Sequence, residues 1–196
     1  MITFKSLDGK LMVLPYLFIA GAAVLRLSLI CPYNLIPVFS CLLFFGACRP
    51  RREYCFPLLA LVGVDILLTT HQYGFALTAG HAVTWIWYLL ALFLGGAVLG
   101  MSISARRVLG SSLFASLSFF VVSNLAVWFE WGMYPKTLGG LEACFSAALP
   151  FFRNSITSEV IGSAMIFTLG HHIQRFMPAA HVRAQVFDSG KFGLEE

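Results

Sequence analysis

The sequence predicts an all-α integral membrane protein, an S-component-like bundle of six transmembrane helices with both termini in the cytoplasm. Three observations predict the membrane bundle. Hydrophobic types make up 59% of the 196 residues and charged types only 11%, against about 25% charged in an ordinary soluble domain. Apolar runs alternate along the whole chain with short polar punctuation, and mean hydropathy is +0.83. Basic residues concentrate in every second punctuation. Such a chain cannot cover a water-facing surface with polar side chains, which excludes a soluble globular enzyme, a disordered chain and a disulfide-built secreted scaffold.

The first run, Leu11–Cys31, ends at Pro32-Tyr33-Asn34. It is longer than the apolar stretch of a signal peptide, carries Arg26 and lacks an A-x-A-like exit, so it reads as a retained helix. The second run, Leu35–Cys48, is only fourteen residues long and ends at Arg49-Pro50-Arg51-Arg52. A span takes about 20 residues, so a re-entrant segment competes with a crossing here. Tyr54–Thr70 is third, followed by a loop over His71–His81. Ala82–Ser104 is fourth, closed by Arg106-Arg107. Val108–Trp131 is fifth, followed by a connection that includes a semi-apolar stretch, Leu141–Phe152. Ser155–His171 is sixth, with Asn154 as its N-cap. Residues 1–176 form one transmembrane domain, and 177–196 read as a mobile cytoplasmic tail.

Charge placement decides for six crossings. Lys5, Lys10, Arg49, Arg51, Arg52, Arg106, Arg107, Arg175, Arg183 and Lys191 then share one side, ten of the thirteen basic residues. Only Lys136 and Arg153 fall on the other side. The positive-inside rule makes the rich side cytoplasmic, in a bacterial inner membrane with the bilayer as partner. The net charge of +4 is therefore a topology signal, with no nucleic-acid partner implied. The five Cys are scattered and suit buried reduced thiols.

Polar residues inside the runs share one depth. Arg26, Asp65, Asn124 and Glu159 lie four to seven residues from the outer ends of four different helices, about 6–10 Å below that boundary. His81, Thr84, Trp85 and Tyr88 add one face of the fourth helix at the same level. A polar layer on the outward side alone suits a pocket open to the exterior. The structural alternative is an Arg26–Asp65 ion pair with Asn124 as interhelical glue and Glu159 complementing a helix dipole. Arg153 reaches either a ligand or lipid phosphate. Gly96 and Gly100 suit close packing within the bundle. No Walker A, H-E-x-x-H or G-x-S-x-G motif is present, so a transporter reads better than an enzyme.

The stretches Arg26 … Asn34-Leu-Ile-Pro37-Val, Phe45-Gly46-Ala47, Asp65-Ile-Leu-Leu and Asn124-Leu-Ala-Val-Trp128 … Gly132-Met-Tyr134-Pro135-Lys136 … Arg153-Asn154 resemble a family of six-helix bacterial transport proteins. That family is similar to the substrate-binding S-components of energy-coupling-factor vitamin transporters, including the solitary BtuM-like ones for cobalamin. The resemblance implies a vitamin-type ligand, cobalamin or another corrinoid, held in an outward cavity capped by the three outer loops. It implies Asp65, Tyr88 and Arg153 as lining residues, with Thr69–Gly74 and His81 in the middle cap. With the polar layer, the expected ligand-binding set is Arg26, Asn34, Asp65, Tyr73, His81, Thr84, Tyr88, Asn124 and Arg153. His81 is the candidate axial ligand to corrinoid cobalt; no intrinsic cofactor is expected. The resemblance leaves open an energy-coupling ATPase module as partner. A membrane enzyme modifying a lipid or the captured cofactor, and a non-transporting assembly subunit, are the rival functions.

Overall fold

In a computed structural model, residues 11–28, 35–130 and 132–176 are described, and every regular element among them is helical. After a 3-10 turn at Leu11–Val13, α1 is Leu14–Ser28 and α2 is Val38–Cys48. α3 is Cys55–Leu67, continued by a π-helical turn at Leu68–Gln72, and α4 is Ala79–Leu94, continued by another at Gly95–Leu99. α5 is Ala105–Glu130 and α6 is Leu138–Phe176. Asn34, the connection around it and the tail after 176 lie outside the described residues.

Side-chain pairs set the direction of each helix. Tyr16 donates to Glu53 (2.7 Å) and Arg26 meets Asp65 (2.7 Å), so α1 and α3 run parallel. Between them α2 runs the other way, with Phe45 against Tyr16 and Phe44 against Phe18. Tyr54 on Phe93, and Thr69 on His81, reverse α4 against α3. Trp87 on Ser118 reverses α5, and Phe120 stacked on Phe152 reverses α6. The chain turns back at each connection. The start of α1 and the end of α6 therefore share one end of the bundle, here called proximal, where Phe44 touches both Phe18 and Phe167.

Three segments are long and apolar enough to cross a membrane: Arg51–Gln72, Ala79–Leu99 and Ala105–Glu130. α5 is built inside out. Its buried positions Val108, Ser111, Ser112, Ala115 and Ser116 follow helical spacing but are mostly small and polar. Leu109, Leu113, Phe114 and Leu117 face outward. In water the stripes would be exchanged; small residues inside and large apolar ones outside suit helices packed in lipid.

α2 is the centre of the fold. Each residue from Phe39 to Cys48 is buried, and the helix packs against α1, α4, α5 and α6. Its eleven residues extend about 16 Å, roughly half a hydrocarbon core. Its closest approach is to α4. A Cβ on Gly46 would strike the Leu92 carbonyl, and one on Gly95 the Leu43 carbonyl. The crossing thus uses Gly46, Gly95 and Gly96. Of the expected Gly96/Gly100 pair, Gly100 has the Gly96 backbone of its own segment, and not the facing helix, nearest to where its Cβ would stand.

α6 departs most from expectation. Instead of starting at Ser155 behind an Asn154 cap, it runs unbroken for 39 residues through Pro150. Pro150 removes one backbone donor without ending the helix. About 58 Å of helix exceeds a bilayer core of about 30 Å, so α6 reaches beyond it. The expected His71–His81 loop also contracts, since Leu68–Gln72 is helical and α4 begins at Ala79. Cys41, Cys48 and Cys144 are buried free thiols, whereas Cys55 is exposed.

Candidate functional site

Arg26 lies near the end of α1, Asp65 in the last turn of α3 and Tyr88 midway along α4. The antiparallel turns bring all three to one level in the distal half. Arg26 Nη2 pairs with Asp65 Oδ1 at 2.7 Å, and Arg26 Nη1 donates to the Tyr88 hydroxyl oxygen at 2.6 Å. Asp65 is 6% and Tyr88 3% exposed, while the Arg26 side chain keeps 24% of its surface. A guanidinium offers several donors in a fixed plane, so it can join two helices to its own.

The cluster is not fully satisfied. Asp65 Oδ2 and Trp85 Nε1 are both buried without a hydrogen bond. Trp85 lies one turn before Tyr88 on α4, and both the Trp85 indole and the Tyr88 hydroxyl stand beside the Asp65 carboxylate.

His81 sits above this layer in the first turn of α4. Its Nδ1 accepts the Thr78 backbone N–H at 3.1 Å, in the manner of a capping box. That acceptance puts the neutral ring's proton on Nε2, which donates to Thr69 Oγ1 at 3.2 Å. Both ring nitrogens are therefore engaged, and binding a metal would break one of these bonds. Among the described residues no group of three or more His, Cys, Asp or Glu could hold a metal ion.

The other expected members do not join the cluster. The Thr84 hydroxyl contacts the Gly80 carbonyl of its own helix at 3.5 Å. Asn124 donates to Phe120 one turn back at 2.7 Å, so it is bonded within α5. Tyr73 is 56% exposed after the π-turn of α3. Arg153 is exposed on α6, and Asn34 lies outside the described residues.

Glu159 shares the depth of the layer but serves α2. Its carboxylate accepts the backbone N–H groups of Phe39 (2.9 Å) and Ser40 (2.7 Å) and the Ser40 hydroxyl (2.5 Å). The sequence places a carboxylate near the start of the sixth run, and the expected dipole role is real but on another helix. Glu130 repeats the device, accepting the N–H groups of Ala79 and Gly80 at the start of α4. No sequence signal links either carboxylate to the helix it caps.

A cavity of about 730 Å³ lies between α1, α2 and α6, with Phe18, Leu25, Ile36, Met165 and Leu169 on its walls. Its lining is almost wholly apolar, and Arg26, Asp65 and Tyr88 are not part of it.

Over residues 6–180 the chain matches a family described as a family of unknown function, DUF6580. No curated protein and no solved structure matches it.

Proposed function

The chain belongs to the DUF6580 family, whose function is unknown, and on its own residues we propose that it is a six-span uptake protein of the bacterial inner membrane. In this reading both termini are cytoplasmic. The distal end faces outward and receives a vitamin-type small molecule, with cobalamin or another corrinoid the first to be tried. The S-component-like resemblance supplies the ligand class, and the alternating helices with their one-sided basic residues support the topology.

One observation carries the proposal: Arg26, Asp65 and Tyr88 converge from three helices in the distal half and leave polar atoms of the cluster uncommitted. Ionisable groups inside spans are costly, and they are characteristic of substrate paths. Ligand capture uses this layer and Arg153, with Tyr73 and the neighbouring loop above. If His81 ligates cobalt, its Nε2 exchanges the Thr69 bond for the metal. Release proceeds by reorientation or with an energy-coupling ATPase module.

Titration of the purified protein with cyanocobalamin, followed by absorption, tests the reading. Saturable binding is the expected result. No binding and no spectral change would remove the corrinoid, and the mass of any co-purifying molecule would then name the ligand.

A further inference from the structure

The connection between α2 and α3 is a braced turn that presents two guanidinium groups. Pro50 fixes its entry, and the N–H groups of Glu53 and Tyr54 return to the Pro50 and Arg51 carbonyls at 3.0 and 3.1 Å. Tyr54 is buried, packs on Phe93 and donates to the Gly46 carbonyl at 3.1 Å, which pins the turn to α4 and α2. Glu53, the one acid of the turn, is already committed to Tyr16 at 2.7 Å and to Arg49 at 2.5 Å. Arg52, its side chain 85% exposed, only grazes Glu53 at 3.9 Å. Arg51 is exposed and has no acidic partner among the described residues. Its guanidinium stands 5.5 Å from the centre of the Phe93 ring.

Phe93 carries this charged turn into an apolar stripe. Ile86, Leu90 and Phe93 follow i, i+4, i+7 spacing on α4, and all three are exposed on a segment apolar enough to cross a membrane. α4 runs from the distal to the proximal end, so the stripe leads from Arg51 about 10 Å towards the bilayer interior. Arginine at such a boundary lays its stem on apolar surface and keeps its charge among the headgroups.

We infer that this turn binds an anionic phospholipid, Arg51 and Arg52 holding the phosphodiester while an acyl chain lies along Leu90 and Ile86. The inference goes beyond the uptake reading and needs only a bilayer around α4. A guanidinium fork matches phosphate oxygens. Phosphatidylethanolamine brings an ammonium to two cations already in place, whereas phosphatidylglycerol brings none. Free phosphate or an acidic peptide would meet the arginines and leave the stripe unused.

The test uses the full chain purified in detergent, with native mass spectrometry counting bound lipid and thermal unfolding reporting its effect. Phosphatidylglycerol, phosphatidylethanolamine and inorganic phosphate are the probes. Phosphatidylglycerol should bind about tenfold or more tightly than phosphatidylethanolamine. Arg51→Gln and Arg52→Gln should each weaken it about fivefold, the worth of one basic residue at a lipid surface. Phosphatidylglycerol should also raise the thermal midpoint of the parent more than that of either variant. Arg106→Gln, which removes a charge from the next proximal connection, should change its affinity less than about twofold at physiological salt. Equal binding of the two lipids would overturn the inference. An equal loss in Arg106→Gln would do the same, by assigning the effect to the whole basic end. Displacement of the lipid by inorganic phosphate at equal concentration would reduce the turn to an anion site without a tail, and the lipid assignment would fall.

Discussion

Glu159 Oε2 accepts both the backbone N–H and the hydroxyl of Ser40, at 2.7 and 2.5 Å. A carboxylate on α6 thereby closes the first turn of α2, the helix on which the core is built. The start of a helix carries donors with no partner inside it, and no water reaches them here. α2 can be short and wholly buried because another helix supplies its missing acceptors.

Replacing Glu159 should therefore act on stability. Glu159→Ala leaves the N–H groups of Phe39 and Ser40 buried and unpaired, for a loss of about 3 kcal/mol. Glu159→Gln keeps one acceptor but turns an NH2 towards backbone donors, and should fall between. Thermal unfolding in detergent checks the order; a Gln variant as stable as the parent would dismiss the cap.

Arg26 and Asp65 should behave as a coupled pair. Removing one leaves a buried charge uncompensated, which costs about 3–5 kcal/mol where a pair is fully buried. The partial exposure of Arg26 moves its own replacement towards the lower figure. Arg26→Met with Asp65→Leu should cost less than the two changes added, and a double-mutant cycle on unfolding free energy measures the difference. Strict additivity would mean that the 2.7 Å contact contributes no coupling.

Arg153 offers the cleaner functional test. It is exposed and its side chain supports no described contact, so Arg153→Ala should leave stability within about 0.5 kcal/mol. In the uptake reading, cyanocobalamin binding should weaken about tenfold through loss of one charged hydrogen bond. Unchanged affinity would remove Arg153 from the ligand site.

The sequence made Arg26, Asp65 and Tyr88 legible together, because depth along a helix follows from counting residues. It could not separate them from Asn124, whose amide had an equally good partner one turn back at Phe120. The central place of α2 was hidden for a related reason. A helix apolar on every side has the same composition whether lipid or protein surrounds it. Pro150 and Arg153-Asn154 resembled a break and a cap, yet α6 continues, since neighbouring helices can compensate for a proline in a membrane helix. The Glu159–Ser40 contact joins residues 119 apart, and no local pattern encodes it.

Gly46 and Gly95 should tolerate nothing larger. Either Cβ would overlap a carbonyl of the facing helix, so Gly46→Ala or Gly95→Ala should destabilise by about 1–3 kcal/mol through overpacking. Gly63→Ala and Gly110→Ala are the controls, with open space where their Cβ would stand. Those two should be neutral or slightly stabilising, because alanine favours the helix. Equal effects at all four positions would mean that the α2–α4 crossing is not the tight point.

The six-span topology is testable with single cysteines in a background where all five native cysteines are replaced by serine. Arg52 at the proximal end has an 85% exposed side chain, and Leu138 at the distal end is 86% exposed. A membrane-impermeant maleimide added to intact cells should label Leu138→Cys and spare Arg52→Cys until the membrane is opened. The physical basis is the proximal gathering of Arg49, Arg51, Arg52, Arg106 and Arg107, which under the positive-inside rule assigns that end to the cytoplasm in the uptake reading. Labelling of both positions from outside would place the two ends on one side, which would mean that α3, α4 and α5, the three helices between them, do not all cross. The reverse pattern would turn the bundle over and put the Arg26–Asp65 layer in the inner leaflet, ending the capture reading.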